Sequence, residues 1–352
     1  MKSTFISTSA LSAATRVSLI KAQTKLAEAQ KEVTTGRLAD VGAALGYKTG
    51  QTITLRQDHV RLKTIIDTNS VVSTRLSATQ AALKSLSDDA QLFVSQLIAA
   101  RNRDTGASVV QGQAEAALTS FTNTMNTALD GAHLFAGINA DVKPLTYYYE
   151  TPTPANRQAV ADAFFASFGT TAGDPANGNI TAADMQTFLD GSFSGLFDDP
   201  AWTTDWSAAS DQNVKSRIST SELVETSTNA NNIAYRKLAQ AYAMVADLGV
   251  ENLNQAAYEV VIDTATRVAG EAIQDLAQEQ ARLGTSQERI ANANDRMSIQ
   301  IDIMANHINL LEAVDPYEAS TRVAALMNQV EAAYTMTARI QKLSLLNYLP
   351  VT

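Results

Sequence analysis

Apolar residues return every seven positions through the last third of the chain, as Leu283, Ile290, Met297, Met304 and Leu311, with Ile301 and Ile308 four residues after two of them. That spacing is the seam of an α-helix packed lengthwise on another helix, so the segment needs a partner. The pattern passes through Asp315-Pro316-Tyr317-Glu318-Ala319 and resumes as Val323, Met327, Val330 and Tyr334 before closing on Leu343, Leu345, Leu346 and Leu349. Chain ends tend to be polar and frayed, so an apolar close is predicted to be covered by something else.

The matching stripe lies at the other end of the chain. Leu19, Ala22, Leu26, Ala29 and Val33 advance by threes and fours, which keeps one helical face on a neighbour, and Gly36 stops the helix. Gly42, Gly46 and Gly50 follow, so residues 35–50 read as an irregular link, either a plain surface loop or one with a further role. From near Thr54 a second pattern carries Leu62, Ile65, Ile66, Val72, Leu76, Leu83, Leu86, Phe93 and Leu97. About 45 residues rising roughly 1.5 Å each make a rod of about 65 Å, too long for an ordinary domain interior and suited to lying along other helices. A third helix carries Leu118, Phe121, Met125 and Leu129 and ends in Gly131-Ala132-His133-Leu134-Phe135-Ala136-Gly137.

Proline placement supports long helices on both sides of a different middle. The first of the seven prolines is Pro144, and none falls between Pro200 and Pro316. Residues 144–215 hold nine acids against Arg157 and Lys215, and eleven of the twenty-two aromatic residues. A compact acidic insertion with its own core is expected there: a strand over Thr146-Tyr147-Tyr148-Tyr149, short helices over 155–168 and 182–197, and a loop over 169–179. Residues 214–228 read as strand or extended link, and 230–248 and 255–283 return to helix. The fold class is therefore mainly α, a long helical hairpin or coiled coil with paired N- and C-terminal helices plus a small α+β insertion.

Chemistry is sparse. No cysteine occurs, so neither a disulfide framework nor a thiolate site is available. His59, His133 and His307 lack partners at metal spacing, and no metalloprotease, phosphate-loop or nucleophile-elbow motif is found. Asp198, Asp199 and Asp205 read as a solvated acidic face or a weak cation site without the alternating acids of a calcium loop. Catalytic, cofactor and metal residues are accordingly expected to be none. A formal charge of −9 without a basic stripe argues against nucleic acid and an anionic membrane surface as partners. No apolar window is long enough to span a membrane, and the first residues lack the apolar run of a cleaved signal peptide. Met297, Met304 and Met327 sit at seam positions and are expected in the core. Asn294 falls one and two heptads before Ile301 and Ile308, leaving two readings: a buried polar group that fixes register, or a locally exposed seam.

Several stretches together resemble the flagellin superfamily and, within it, proteins of the hook-associated protein 3 type, which join hook to filament in the bacterial flagellum. The turn Thr35-Gly36-Arg37 is similar to the family's turn after its first helix. Asp315-Pro316 with the following Tyr317-Glu318-Ala319, and the closing leucines, are similar to its C-terminal region. Leu134-Phe135-Ala136-Gly137, followed by Pro144-Leu145, resembles the junction-protein stretch, with His133 and Leu145 departing from the commoner tyrosine and phenylalanine. The resemblance implies a terminal inner domain (1–40 and 312–352), a long-helix bundle (41–143 and 216–311) and an outer domain (144–215). It implies unfolded export without cleavage, aided by a flagellar export chaperone, to an extracellular place in the flagellum. There the chain would form a ring with copies of itself between hook-associated protein 1 and flagellin. The assembly interface expected on this basis comprises Leu19, Leu26, Val33, Val330, Tyr334, Leu343, Leu345, Leu346 and Leu349. Filament flagellin is the alternative reading, and an enzyme or ligand-binding module in the insertion a third.

Overall fold

The computed structural model describes residues 8–102 and 106–342; the calls on Leu343, Leu345, Leu346 and Leu349 lie outside the described residues. In chain order the elements are α1 (Thr8–Thr35), α2 (Val41–Leu45), α3 (Thr49–Ala100), α4 (Ala107–Met125), β1 (Ala128–Leu129), β2 (Ala132–His133), α5 (Ala155–Phe168) and α6 (Ala182–Phe188). They continue as β3 (Lys215–Arg217), β4 (Leu223–Glu225), α7 (Ile233–Asp247), α8 (Gln255–Glu312) and α9 (Pro316–Lys342). The fold is mainly α, with long paired helices and a small strand-containing insertion. Two compact units divide it: Met1–Lys63 with Met297–Thr352, and Thr64–Arg296.

In the Thr64–Arg296 unit the seven-residue rhythm is carried by two helices. On α3, Asn69, Leu76, Leu83, Ala90 and Leu97 are buried, and so are Thr79, Leu86, Phe93 and Ala100, each series stepping by seven. On α8 the same holds for Ile262, Ala269, Leu276, Leu283 and Ile290, and for Ala265, Ala272, Glu279, Ser286 and Ala293. Bonds between the helices set an antiparallel register: Gln80 Nε2 donates to the Gln280 carbonyl (2.8 Å), Gln287 Nε2 to Ser77 Oγ (3.3 Å), and Arg101 pairs with Asp263 (2.7 Å). The Arg101 guanidinium donates to Asp263 and holds that carboxyl below its usual range. α4 packs on α7, where Phe121 and Phe93 flank the Tyr242 ring at 6.0 and 4.9 Å between centroids.

The polar group in this seam is Asn69 rather than Asn294 alone. Asn69 is fully buried, and its Nδ2 donates to the Ile218 carbonyl (2.9 Å) and to Asn294 Oδ1 (2.7 Å), while Asn294 is half-buried. One amide thus ties α3, α8 and the β3–β4 hairpin. Glu222 of that hairpin accepts from Arg289 (2.9 Å) and Arg296 (3.5 Å).

The insertion leaves and returns through a narrow neck. Asn126, just after α4, accepts from the Leu145 amide and donates to the Leu145 carbonyl, both at 2.9 Å. The Thr146 amide then bonds the Trp206 carbonyl (2.9 Å), and the Ala208 amide bonds that of Pro144 (3.1 Å). Strand structure sits at the rims: the isolated Leu145–Ser207 bridge, and β3 paired antiparallel with β4 through Ser216 and Val224. Residues 146–149, expected as a strand, form none, because Tyr148 serves an aromatic core instead. Tyr148 stacks on Trp206 (5.3 Å), Trp206 on Trp202 (5.4 Å), and Phe197, Phe193, Phe188 and Phe164 continue the ring contacts. Tyr148 also donates its hydroxyl to Asp247 Oδ2 (3.0 Å), and burial pushes its phenol up, so it stays a donor. α5 coincides with the expected 155–168, and Gly169 (φ +72°) stops it.

Replacing Asn69 by alanine should strand the Ile218 carbonyl and Asn294 Oδ1 in a buried seam, at a cost of about 1–3 kcal/mol. Both tryptophans, Trp202 and Trp206, lie in this unit. Their fluorescence in a urea titration should therefore show a lower midpoint with an unchanged slope, and an unmoved midpoint would show that the amide bonds contribute nothing.

Candidate assembly site

The unit of Met1–Lys63 and Met297–Thr352 is built on α1 and α9 lying antiparallel. Leu19, Ala22, Leu26, Ala29 and Glu32 form the covered face of α1. Ala319, Val323, Leu326, Val330, Ala333 and Thr337 form that of α9. Glu32, Leu326 and Ala333 thus occupy the seam where Val33, Met327 and Tyr334 were expected, and those three are exposed. The reason is an ion pair: after Ala29 the stripe steps by three to Glu32, whose carboxylate accepts from Arg322 Nη1 (3.0 Å) on α9 and from the Ala39 amide (3.2 Å). With its charge met, Glu32 serves where an apolar residue was anticipated. Met327 is correspondingly a surface residue, whereas Met297 is buried and Met304 half-buried.

The two motifs read from opposite ends of the chain meet at the end of this pair. Gly36 takes φ +67°, and its amide closes on the Glu32 carbonyl (2.8 Å), ending α1 in a conformation that glycine reaches without strain. Thr35 Oγ1 donates back to the Lys31 carbonyl (2.8 Å) and accepts from the Arg37 amide (3.3 Å). Arg37 then bridges Ala313, with the Val314 amide on the Gly36 carbonyl (3.0 Å) and the Leu38 amide on the Glu312 carbonyl (2.9 Å). Asp315 caps α9 by accepting from the Tyr317 amide (2.8 Å), and Pro316 occupies the first helical position, where a missing amide hydrogen costs nothing.

Beneath this clasp lies Glu312, with no exposed surface. Its carboxylate accepts from Arg56 Nε (2.8 Å) and from Arg56 Nη2, and Arg37 Nη1 stands at 3.7 Å. The hydrogen bonds it donates to Glu312 raise the Arg56 guanidinium pKa above its ordinary value. Arg37 Nη2 also donates to Asn309 Oδ1 (3.4 Å). The expected interface residues did not include Glu32, Arg56, Glu312 or Arg322; Glu32 and Glu312 each lie shortly before a turn, whereas Arg56 and Arg322 carry no local signal, their partners being 256 and 290 positions away.

The other motif is structural packing. Leu134, Phe135 and Ala136 are fully buried in the Thr64–Arg296 unit, and Phe135 meets Tyr235 edge-on (5.6 Å). Gly137 takes φ +63°, and a β-carbon there would lie 2.6 Å from the carbonyl oxygens of Ser210 and Gln212, so only glycine fits. His133 Nδ1 lies 2.9 Å from the Asn126 carbonyl oxygen, and His59 and His307 belong to the other unit. Among the described residues no cluster of three His, Asp or Glu forms, and Asp199 pairs with Arg236 (2.9 Å). No helix of the described residues is long and apolar enough to cross a membrane.

Paired terminal helices closed by a buried ion cluster in one unit, and long seam-packed helices with an aromatic insertion in the other, make this a mainly α protein. The bacterial flagellin N-terminal helical region matches residues 6–140, and the bacterial flagellin C-terminal helical region matches residues 266–349. The chain belongs to the flagellin superfamily. Its members are structural proteins of the bacterial flagellum, outside the cell, and the chain is not an enzyme. No curated protein sequence matches the chain. A Vibrio parahaemolyticus structure assigned as a flagellar hook-associated protein shares the fold: TM-score 0.52, 8% identity, covering 76% of this chain and 99% of that one.

Glu312→Gln should loosen the clasp by on the order of 1–2 kcal/mol, at the lower end for charged hydrogen bonds because Arg37 and Arg56 keep half their surface in water. Circular dichroism during urea unfolding should show an earlier loss of helix for this variant. Arg56→Ala should add little further loss in the double variant, whereas independent effects of the two would refute a shared cluster.

Proposed function

We propose that this chain is the junction subunit of a bacterial flagellum, forming a ring with copies of itself between hook-associated protein 1 and the flagellin filament. The observation that carries assembly through the ends is the half-covered state of α1 and α9. Their mutual seam uses one face of each, while Val17, Ile20, Val33, Met327, Tyr334 and Met336 stay exposed. Helices of this length with one covered stripe gain order when neighbouring subunits bury the rest, which couples folding of the ends to assembly. Leu19, Leu26 and Val330 then hold the pair within one subunit, and Val33 and Tyr334 face the next. Leu343, Leu345, Leu346 and Leu349 extend that surface in the same reading.

The junction assignment rests on the resemblance of the Leu134–Gly137 stretch, and the fold shared with the Vibrio hook-associated protein supports it. Export would be unfolded and without a cleaved signal, with a flagellar chaperone masking the terminal helices. Terminal domains 1–40 and 312–352 would form the inner layer, 41–143 and 216–311 the bundle, and 144–215 the outer domain.

Deletion of the gene should leave hooks that shed flagellin into the medium, visible by electron microscopy; normal filaments would reject the junction assignment. Removing residues 343–352 should leave tryptophan fluorescence of the Thr64–Arg296 unit native yet abolish incorporation, and ordinary motility would refute the interface.

A further inference from the structure

A cavity of about 550 Å³ opens on the insertion, where the end of α5, the loop after it and α6 come together. Small-molecule sites span roughly 300–1,000 Å³, so it has the size of one. Part of its wall is aromatic: Phe168, half-buried, lies against Phe164 (4.8 Å) and Phe188 (5.2 Å). Another part is the loop over 169–180, held by the turn between α7 and α8. Asn254 Nδ2 donates to the carbonyls of Gly178 (3.0 Å) and Ile180 (2.6 Å), and Asn252 Nδ2 donates to that of Ala172 (3.3 Å). Gly249 lets the loop approach this closely, since a β-carbon there would overlap the Ala172 carbonyl oxygen. The cavity is thus formed by the protein alone, without ordering by a ligand.

The polar lining has spent most of its hydrogens on the protein. Ser167 Oγ donates to the Ala163 carbonyl (2.9 Å), Thr187 Oγ1 to that of Ala183 (2.9 Å), and Thr170 Oγ1 to Asn177 Oδ1 (2.6 Å). Each of these hydroxyls has one hydrogen, so toward the cavity it can only accept. The Asp184 carboxylate, on which Thr181 Oγ1 donates (2.7 Å), is likewise an acceptor. Only Asn179 and Ser192 keep hydrogens to give: both are exposed and make no side-chain hydrogen bond among the described residues. The lining contains no lysine, arginine or histidine.

This inventory selects the ligand. A carboxylate or phosphate would meet lone pairs and Asp184 with no cation to answer it, and a single ammonium would serve Asp184 while leaving the other acceptors unmet. A ligand with several hydroxyl donors and one C–H face meets both the acceptors and the phenyl wall. We propose that this cavity binds a neutral saccharide, whose hydroxyls donate to Ser167, Thr170, Thr187 and Asp184 and accept from Asn179 and Ser192, with a C–H face on Phe168. The site lies wholly in the insertion, so the inference is independent of the junction assignment.

A glycan array probed with the tagged full-length chain should return neutral glycans, with sialylated and sulfated ones at least tenfold weaker. Ser192→Trp should fill the cavity and abolish the signal, and Asn179→Ala should weaken it about tenfold. Neither native side chain bonds within the protein, so both variants should keep the parent's circular dichroism; Asn179→Ala alone decides if Ser192→Trp does not fold. Silence across the neutral glycans, preference for anionic ones, or parent-like binding by Asn179→Ala would overturn the site. Saturation-transfer NMR with tetramethylammonium chloride beside the bound glycan separates the remaining alternative, since transfer to the cation alone would overturn the saccharide.

Discussion

Burial of an apolar stripe that repeats every seven residues is the interaction on which each unit depends. A helix is thin, and one lying along another can cover only one face, so Leu76, Leu83 and Leu97 on α3 and Leu276, Leu283 and Ile290 on α8 need a lengthwise partner. Two consequences follow. Side chains outside the stripe remain in water, even large ones such as Val71, Leu92 and Ile98. And a polar residue that enters the stripe is held there by a partner: the Asn69 Nδ2 by Ile218 and Asn294, although its Oδ1 is buried without one, Glu279 by Arg282 (2.6 Å), and Glu32 by Arg322.

The terminal pair depends on the same burial with less of it. Among the described residues α1 and α9 pack chiefly on each other, and their ends would leave helix amides and carbonyls unsatisfied. The clasp of Gly36, Leu38, Glu312 and Val314 meets that need with backbone bonds, and Arg56 and Arg37 neutralise the carboxylate buried beneath it. A buried ion cluster is a weak source of net stability, because desolvation offsets most of the attraction, but it tolerates few alternative arrangements. The clasp therefore defines where α1 stops and α9 starts.

Much of this was legible in the residues. Long helices followed from seven-residue spacing and from where prolines are missing; α5 began and ended where its pattern and Gly169 placed it; and the glycine and proline turns lay where Gly36 and Pro316 stand. The rotation of the terminal helices was not legible. Near Val33 and Tyr334 the spacing permits a step of three or four, and only Arg322, 290 positions from Glu32 in sequence, decides in favour of Glu32. The tyrosine triplet read as strand because β-propensity is local, whereas Tyr148 is claimed by Trp206 and Asp247. The Leu134–Gly137 motif was legible as a motif but not as packing against residues 210–212 and Tyr235.

By itself the sequence determined that the chain is helical, that its two ends carry matching stripes and that an aromatic, acidic segment interrupts the middle, since periodicity, proline placement and composition are properties of neighbouring residues. Only the tertiary structure decided which side of α1 faces α9, that Asn69 is the buried polar group of the long seam, and that Glu312 lies beneath the two turns. Those outcomes depend on partners hundreds of positions away, and a charge or amide becomes acceptable in a core only once the group that satisfies it has been brought there.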